Sequence, residues 1–256
     1  GCGCRLTRAI LPVHLFGHLC DVKALMALAE KHNLILFEDS AQVIYGHHDG
    51  VYTGNWGIGA GISFYVTKNL GAAGDGGMIL TNDSEIDRRS RSIRIHGMGR
   101  ERYYYDELGY TSRLAELQAA ILCAKLPRLD DWNENRAKIA AIYLGRLSGS
   151  GIRLPETMPG NNHVWHQFTI QYEHRDGLMK HLGEQGIASA IFYPVPLHLH
   201  EPYAHYGHGE GSLPITERVS KECLSLPVHQ HMTEEQANLV ADEILAFVAK
   251  APVAAG

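Results

Sequence analysis

Two rhythms of apolar and polar positions alternate along the chain. Ala9 to Leu15 is an apolar run that reads as a strand. Val22, Leu25, Met26, Leu28 and Ala29 then recur at helical spacing behind Asp21, which is placed as an N-cap. "NLILFED" is a short apolar run ending in two acids, the pattern of a buried parallel strand. Strand, helix and strand in succession seed an α/β sheet. "AGISFYV" and "GGMILTN" supply two further strands, and "DSEIDRRSRSIRIHG" a helix with an acidic start and a glycine stop. Residues 97–110, with a triple tyrosine, lack a period and read as a loop. "SRLAELQAAILCAKL" is helical, Pro127 interrupts it, and "PRLDDWNENRAKIAAIYLGRL" resumes as a long amphipathic helix. Beyond "SGSG" the pattern predicts a strand over "HVWHQFTIQY", a helix over "RDGLMKHLGEQG" and a strand over "ASAIFY". A Pro/His-rich loop and a final helix, "TEEQANLVADEILAFVAK", follow. The architecture expected is a larger α/β domain over residues 1–130, then a connecting helix and a smaller α+β domain over 131–256.

Composition narrows the classes. A net charge of −5 gives no basic field for nucleic acid or an anionic membrane. No apolar run approaches the length of a membrane span, and no signal-peptide pattern is visible. Five scattered cysteines, an odd number, point to a reducing cytoplasm rather than a disulfide framework. "GCGC", with Cys2 and Cys4, is too short and isolated to be a four-ligand metal site. Sixteen histidines invite a metal reading, but pairs such as His163 with His166, or His198 with His200, have no cysteine partner nearby and no H-E-x-x-H. No metal is expected. "GAAGDGG" does not fit a P-loop, and "RRSRSIR" reads as a solvated helix face.

The chemistry gathers around "SFYVTKNLGAAGDGG". Asp39 ends a strand, where ligands of open α/β sheets bind, and alternation turns Glu38 the opposite way. Gln42 follows three residues on, and Lys68 lies 29 residues beyond Asp39, enough chain to reach a neighbouring strand end behind Ser63. An acid, an amide, a hydroxyl and an amine could thus converge, a set that suits pyridoxal phosphate. The amine would bind the cofactor, the carboxylate would keep the pyridine nitrogen protonated and the hydroxyl would bond the phosphate. Burial would lower the lysine pKa and free the amine as nucleophile and proton shuttle. Spacing leaves the alternatives open, since a lone strand-end lysine is usually a surface residue and a lone strand-end aspartate a loop or cap residue.

"EDSAQ" with "SFYVTKNLGAAGDGG", followed by "GYTSRLAELQAAIL" and "IFYPVPLH", resembles the DegT/DnrJ/EryC1/StrS aminotransferases over nearly the whole chain. The resemblance implies a fold-type I pyridoxal-phosphate transferase, with a mostly parallel central sheet in a large domain and a smaller α+β C-terminal domain. It implies transfer of an amino group from an amino acid, glutamate being expected, to a nucleotide-linked keto sugar, in a cytoplasmic homodimer with shared sites. By position, Lys68 resembles the Schiff-base lysine and Asp39 the pyridine-nitrogen partner. Gln42 resembles the residue near the 3-hydroxyl, and Ser63 a phosphate ligand. Arg113, Tyr193 and His198 match positions that resemble substrate contacts. Gly71, Gly74, Gly76 and Gly77 are expected to permit the sharp return after Lys68. Thr111 stands where relatives often carry an asparagine that reaches the partner's phosphate, and Phe192 where many carry a histidine. The family's N-terminal phosphate loop and ring-stacking aromatic are not in this sequence, and 256 residues alone are expected to bind the cofactor weakly and catalyse poorly. A sugar dehydratase of the same fold and a non-catalytic sensor or scaffold are the competing functions.

Overall fold

The computed structural model describes residues 7–250; Cys2 and Cys4 lie outside them. The chain forms two compact units, one reaching Asn133 and taking back Thr157–His166, the other comprising Glu134–Glu156 and the chain from Gln167 onward.

The first unit is built on a twisted mixed ladder. β1 (Ala9–Ile10) pairs in parallel with β2 (Ile35–Leu36). Between them runs α1 (Val22–His32), whose N-cap Asp21 accepts from the Ala24 N–H as its sequence position foretold. β3 (Glu38–Asp39) pairs in parallel with β6 (Ala60–Ser63), and β6 pairs antiparallel with β7 (Gly77–Leu80). Backbone bonds from Phe37 N to Ile10 O and from Asp39 N to Pro12 O carry the first ladder on into the second. A small hairpin, β4 (His47–His48) with β5 (Val51–Tyr52), sits between β3 and β6. α2 (Ser84–Ile93) starts at Asp83, whose carboxylate caps Glu85 and Ile86. α3 (Glu116–Lys125) buries Leu122 against Ile62, Phe64, Leu70 and Ala72. A 3-10 turn through Pro127 separates it from α4 (Leu129–Arg146).

The strand expected over Ala9–Leu15 is shorter. Pro12 has no N–H for a ladder, and the chain turns through Leu15–Gly17 with Phe16 at φ 61° and Gly17 at φ 100°. Residues 97–110 form no helix or strand and hold Tyr103, Tyr104, Tyr105, Leu108 and Tyr110 exposed.

In the second unit β8 (Phe168–Gln171) pairs antiparallel with β9 (Cys223–Leu226). α5 (Arg175–Glu184), α6 (Pro214–Glu222) and α7 (Glu234–Val248) accompany them, α7 entered through a Thr233–Gln236 capping box. Tyr143, Phe168, Ile170, Leu178, Leu182, Leu224 and Ile244 are its fully buried centre. α6 and β9 correct the expectation of a Pro/His-rich loop over the whole stretch between "ASAIFY" and the final helix. "ASAIFY" contributes only a bridge from Ala190 to Ser225.

His163–His166 do not extend β8 as expected; they dock on the first unit. Val164 N donates to Gly17 O at 2.9 Å, and a Cβ on Gly17 would lie 2.7 Å from His166 N. His163 stacks flat on Trp165 with centroids 3.7 Å apart, and its Nδ1 accepts the Trp165 N–H at 3.0 Å. Burial, with the adjacent His18 ring in support, lowers the His163 pKa to about 3.

Glu38 and Asp39 separate as the period of two requires. Glu38 is fully buried. Its Oε1 accepts from Gly54 N at 2.8 Å and Trp56 N at 3.2 Å, and its Oε2 from Thr53 Oγ1 at 3.0 Å and His14 Nε2 at 2.9 Å. Ser40 Oγ joins Thr53 Oγ1. Burial disfavours a charged His14 ring and the Glu38 carboxylate favours it. The Cys20 N–H aimed at Nδ1 fills the lone pair that a second proton needs, so the bond to Glu38 is that of a neutral Nε2–H ring.

Glu38→Ala leaves two amide N–H groups, a hydroxyl and an imidazole without their acceptor, and the expected loss is about 3–5 kcal/mol. All three tryptophans, Trp56, Trp132 and Trp165, lie in the first unit, so fluorescence-detected urea unfolding reads it; a loss below about 1 kcal/mol would contradict the network's role. His163 titrates in the opposite sense to a salt-bridged histidine. Folded it stays neutral, whereas the unfolded ring takes a proton below about pH 6.5. Stability of the first unit should therefore fall as pH drops from about 6.5 towards 3, by at most ~1.4 kcal/mol per pH unit from this group. His163→Phe should flatten that slope; an unchanged slope would refute the assignment.

Candidate active site

Lys68 stands at the tip of an excursion between β6 and β7. Ala72 N donates to Phe64 O at 2.8 Å and closes the loop, while Lys68 N donates to Tyr65 O at 2.8 Å and turns its tip. None of Gly71, Gly74, Gly76 and Gly77 uses a positive φ, so their expected left-handed freedom is not what the return needs. Gly71 needs space instead: a Cβ there would lie 2.4 Å from Val66 O. Its carbonyl is held by Lys125 Nζ at 2.6 Å.

The Lys68 amine is half-buried. Desolvation pulls its pKa below the usual lysine value, and the Asp39 carboxylate pulls in the opposite direction. That opposition places Asp39 and Lys68 in one electrostatic neighbourhood, as the spacing had implied. Asp39 is partly exposed, and its Oδ1 accepts the Ala41 N–H at 3.0 Å. Gln42 turns its Oε1 to the Phe16 N–H at 2.6 Å, so what it has left to offer is the N–H donors of its amide. Ser63 lies in β6 opposite Gly77, and its Oγ accepts the Tyr65 N–H at 3.2 Å, leaving the hydroxyl proton to donate.

Thr111 is exposed, with Oγ1 3.4 Å from His96 Nδ1, and Arg113 is exposed nearby in sequence. Tyr193 is exposed in the second unit. His198, expected to face substrate, points Nε2 at Glu217 Oε1, 3.1 Å away, with its side chain only 8% exposed. Glu217 also accepts from Gly211 N and Leu213 N, which hold its carboxyl below the ordinary range together with His198. His198 is thus tied to α6. Among the described residues no group of three His, Cys, Asp or Glu could hold a metal, and no helix is long and apolar enough to cross a membrane.

Sequence reading missed the brace behind the site. Phe16, which holds Gln42, is bonded in sequence to Gly17, which holds Val164. The signal was faint: "HVWHQF" breaks the apolar–polar alternation that "QFTIQY" keeps.

Known proteins share this sequence and fold. The model of the DegT/DnrJ/EryC1/StrS aminotransferase family matches residues 5–245. The chain is 47% identical to a pleiotropic regulatory protein of Geobacillus stearothermophilus, over 94% of this chain and 65% of that one. It is 45% identical to the dTDP-3-amino-3,4,6-trideoxy-alpha-D-glucose transaminase of Streptomyces venezuelae, over 93% of this chain and 63% of that one. The chain thus spans just under two thirds of the length of these relatives. The solved structure of S. venezuelae DesV in complex with a ketimine intermediate superposes with a TM-score of 0.93 at 43% identity, covering 97% of this chain and 67% of that one. The family model, the relatives and the matching fold together show that the chain belongs to the DegT/DnrJ/EryC1/StrS aminotransferase family.

Proposed function

We propose that this chain carries the lysine-bearing site of a pyridoxal-phosphate-dependent aminotransferase. It would move an amino group from an amino acid, glutamate by expectation, to a nucleotide-linked keto sugar. The carrying observation is the half-buried Lys68 amine, held below the usual lysine pKa while Asp39 opposes the shift. A lysine amine of lowered pKa is more readily freed as a nucleophile and base than an ordinary one. The donor set fits the cofactor: an amine for its aldehyde, a carboxylate for its ring nitrogen, amide N–H groups of Gln42 for its 3-hydroxyl oxygen and the Ser63 hydroxyl for its phosphate. When bound, the group supplies an electron sink for the carbon that gains or loses the amine. With the group bound, Asp39 would place a carboxylate beside its ring nitrogen and Lys68 would hold or release a proton at Nζ. Gln42, fixed by Phe16, orients the ring.

The active unit in this reading is a cytoplasmic homodimer. The exposed tyrosines of residues 97–110, with exposed Thr111 and Arg113 beside them, support such an interface, because tyrosine suits surfaces that a partner covers. Arg113 and Tyr193 are substrate contacts in this reading, and Thr111 reaches the phosphate across the dimer. A second reading, a non-catalytic sensor on the same scaffold, draws on the relative named as a regulatory protein.

Addition of pyridoxal phosphate should turn the protein yellow, and borohydride reduction followed by peptide mapping should find the label on Lys68. A colourless mixture favours the sensor, and label on another lysine refutes the assignment. Asp39→Asn should retain much of the bound cofactor while losing orders of magnitude in transamination rate, because its charge tunes the ring rather than holding the molecule. Unchanged turnover would refute that role.

A further inference from the structure

We propose that Asn69 is a positioning residue for the Lys68 amine, hooking the tip of the Lys68 loop to the brace that also holds Gln42. The inference rests on the reading of Lys68 given above. Asn69 is buried, 3% exposed, although it follows Lys68 in a turn. Its Nδ2 donates to Asn133 Oδ1 at 2.8 Å and to the Val164 carbonyl at 2.8 Å. Its Oδ1 lies 3.2 Å from His166 Nδ1. Two acceptors on Nδ2 fix which way the amide faces, and so make His166 Nδ1–H the donor to Oδ1. Both N–H groups and the oxygen are therefore engaged, by partners 64 to 97 residues away in sequence. Rotating that side chain would strand buried polar groups, so the amide is locked.

The partners are themselves immobile. Val164 N is bonded to Gly17 O, His163 is stacked on Trp165, and Asn133 lies in α4. Phe16, the neighbour of Gly17, donates to Gln42. Gln42 and Lys68 come from separate stretches of chain, yet each is fixed to residues 16–17 or to the segment docked on them. The end of β6 alone does not determine where the amine lies; four residues, 64–67, separate it from Ser63. Asn69 supplies the missing constraint one residue from the amine. Lys125 on Gly71 O restrains the other side of the loop.

The test begins on cofactor-free protein. Lys68 acetylation by acetic anhydride is followed by mass spectrometry across pH, and the midpoint of the pH–rate profile is read for that one residue. The midpoint rather than the rate is diagnostic, because exposure alone changes the rate. Asn69→Ala should move the midpoint up towards the ordinary lysine value, as the amine leaves its half-buried place. Pyridoxal phosphate trapped on Lys68 by borohydride should fall about tenfold at matched concentration. Asn133→Ala, which removes one of the three partners, should shift the midpoint in the same direction by less, and carries the test if Asn69→Ala does not fold. Circular dichroism and tryptophan fluorescence establish folding. An unmoved midpoint in a folded variant overturns the proposal. Label on a different lysine overturns the attachment reading instead, and the midpoint comparison still decides the role of Asn69.

Discussion

A carboxylate cut off from water survives only if donors surround it, and Glu38 is such a carboxylate. Its two oxygens gather the Gly54 and Trp56 amides, the Thr53 hydroxyl and the His14 ring. These donors come from the chain before β2 and from the stretch between β5 and β6, so one side chain ties three parts of the sheet together. It also fixes the direction of its neighbour. Successive side chains of a strand face opposite ways, and with Glu38 committed to the interior Asp39 faces the other way, its charge felt at Lys68. In the proposed reading, the acid that builds the scaffold thereby aims the acid that serves the chemistry.

The site then needs an amine held at a matching place, and the fold supplies it by a loop rather than a strand. Closure by Ala72 N on Phe64 O makes the excursion, crowding at Gly71 keeps it tight, and contacts from α3 restrain its return. The segment 163–166, docked at Gly17, braces the same region from a part of the chain far away in sequence. Burial and a nearby carboxylate act on Lys68 in opposite senses, and burial dominates. That balance leaves an amine less basic than an ordinary lysine without stripping it of a counter-charge.

Much of this was legible in the sequence. Alternation separated Glu38 from Asp39, Asp21 and Asp83 marked helix starts, and Pro127 marked a break between helices. The parallel order of the first strands followed from the strand–helix–strand spacing. What stayed hidden depends on tertiary contact. "HVWHQFTIQY" reads as one apolar-rich strand although it alternates strictly only from Gln167 on, and docking on Gly17 claims its first half, with Trp165 at φ 47°. His198 carries no sign that Glu217, nineteen residues on, will engage it. β9 has four residues, all buried, too few to announce a period, and α6 presents an exposed Ile215 that blurs its stripe. The glycines after Lys68 were read for backbone freedom, whereas at Gly71 the constraint is room.

The central claim is that Asp39, aimed by the burial of Glu38, acts on the Lys68 amine inside a desolvated site. It is tested most directly by following the Lys68 side-chain nitrogen by NMR, in protein carrying nitrogen-15 lysine, through a pH titration of the wild-type chain and of Asp39→Asn. The account expects the wild-type amine to titrate below an ordinary lysine and the variant to titrate lower still, because the opposing carboxylate charge is gone. An identical midpoint in the two proteins would contradict it.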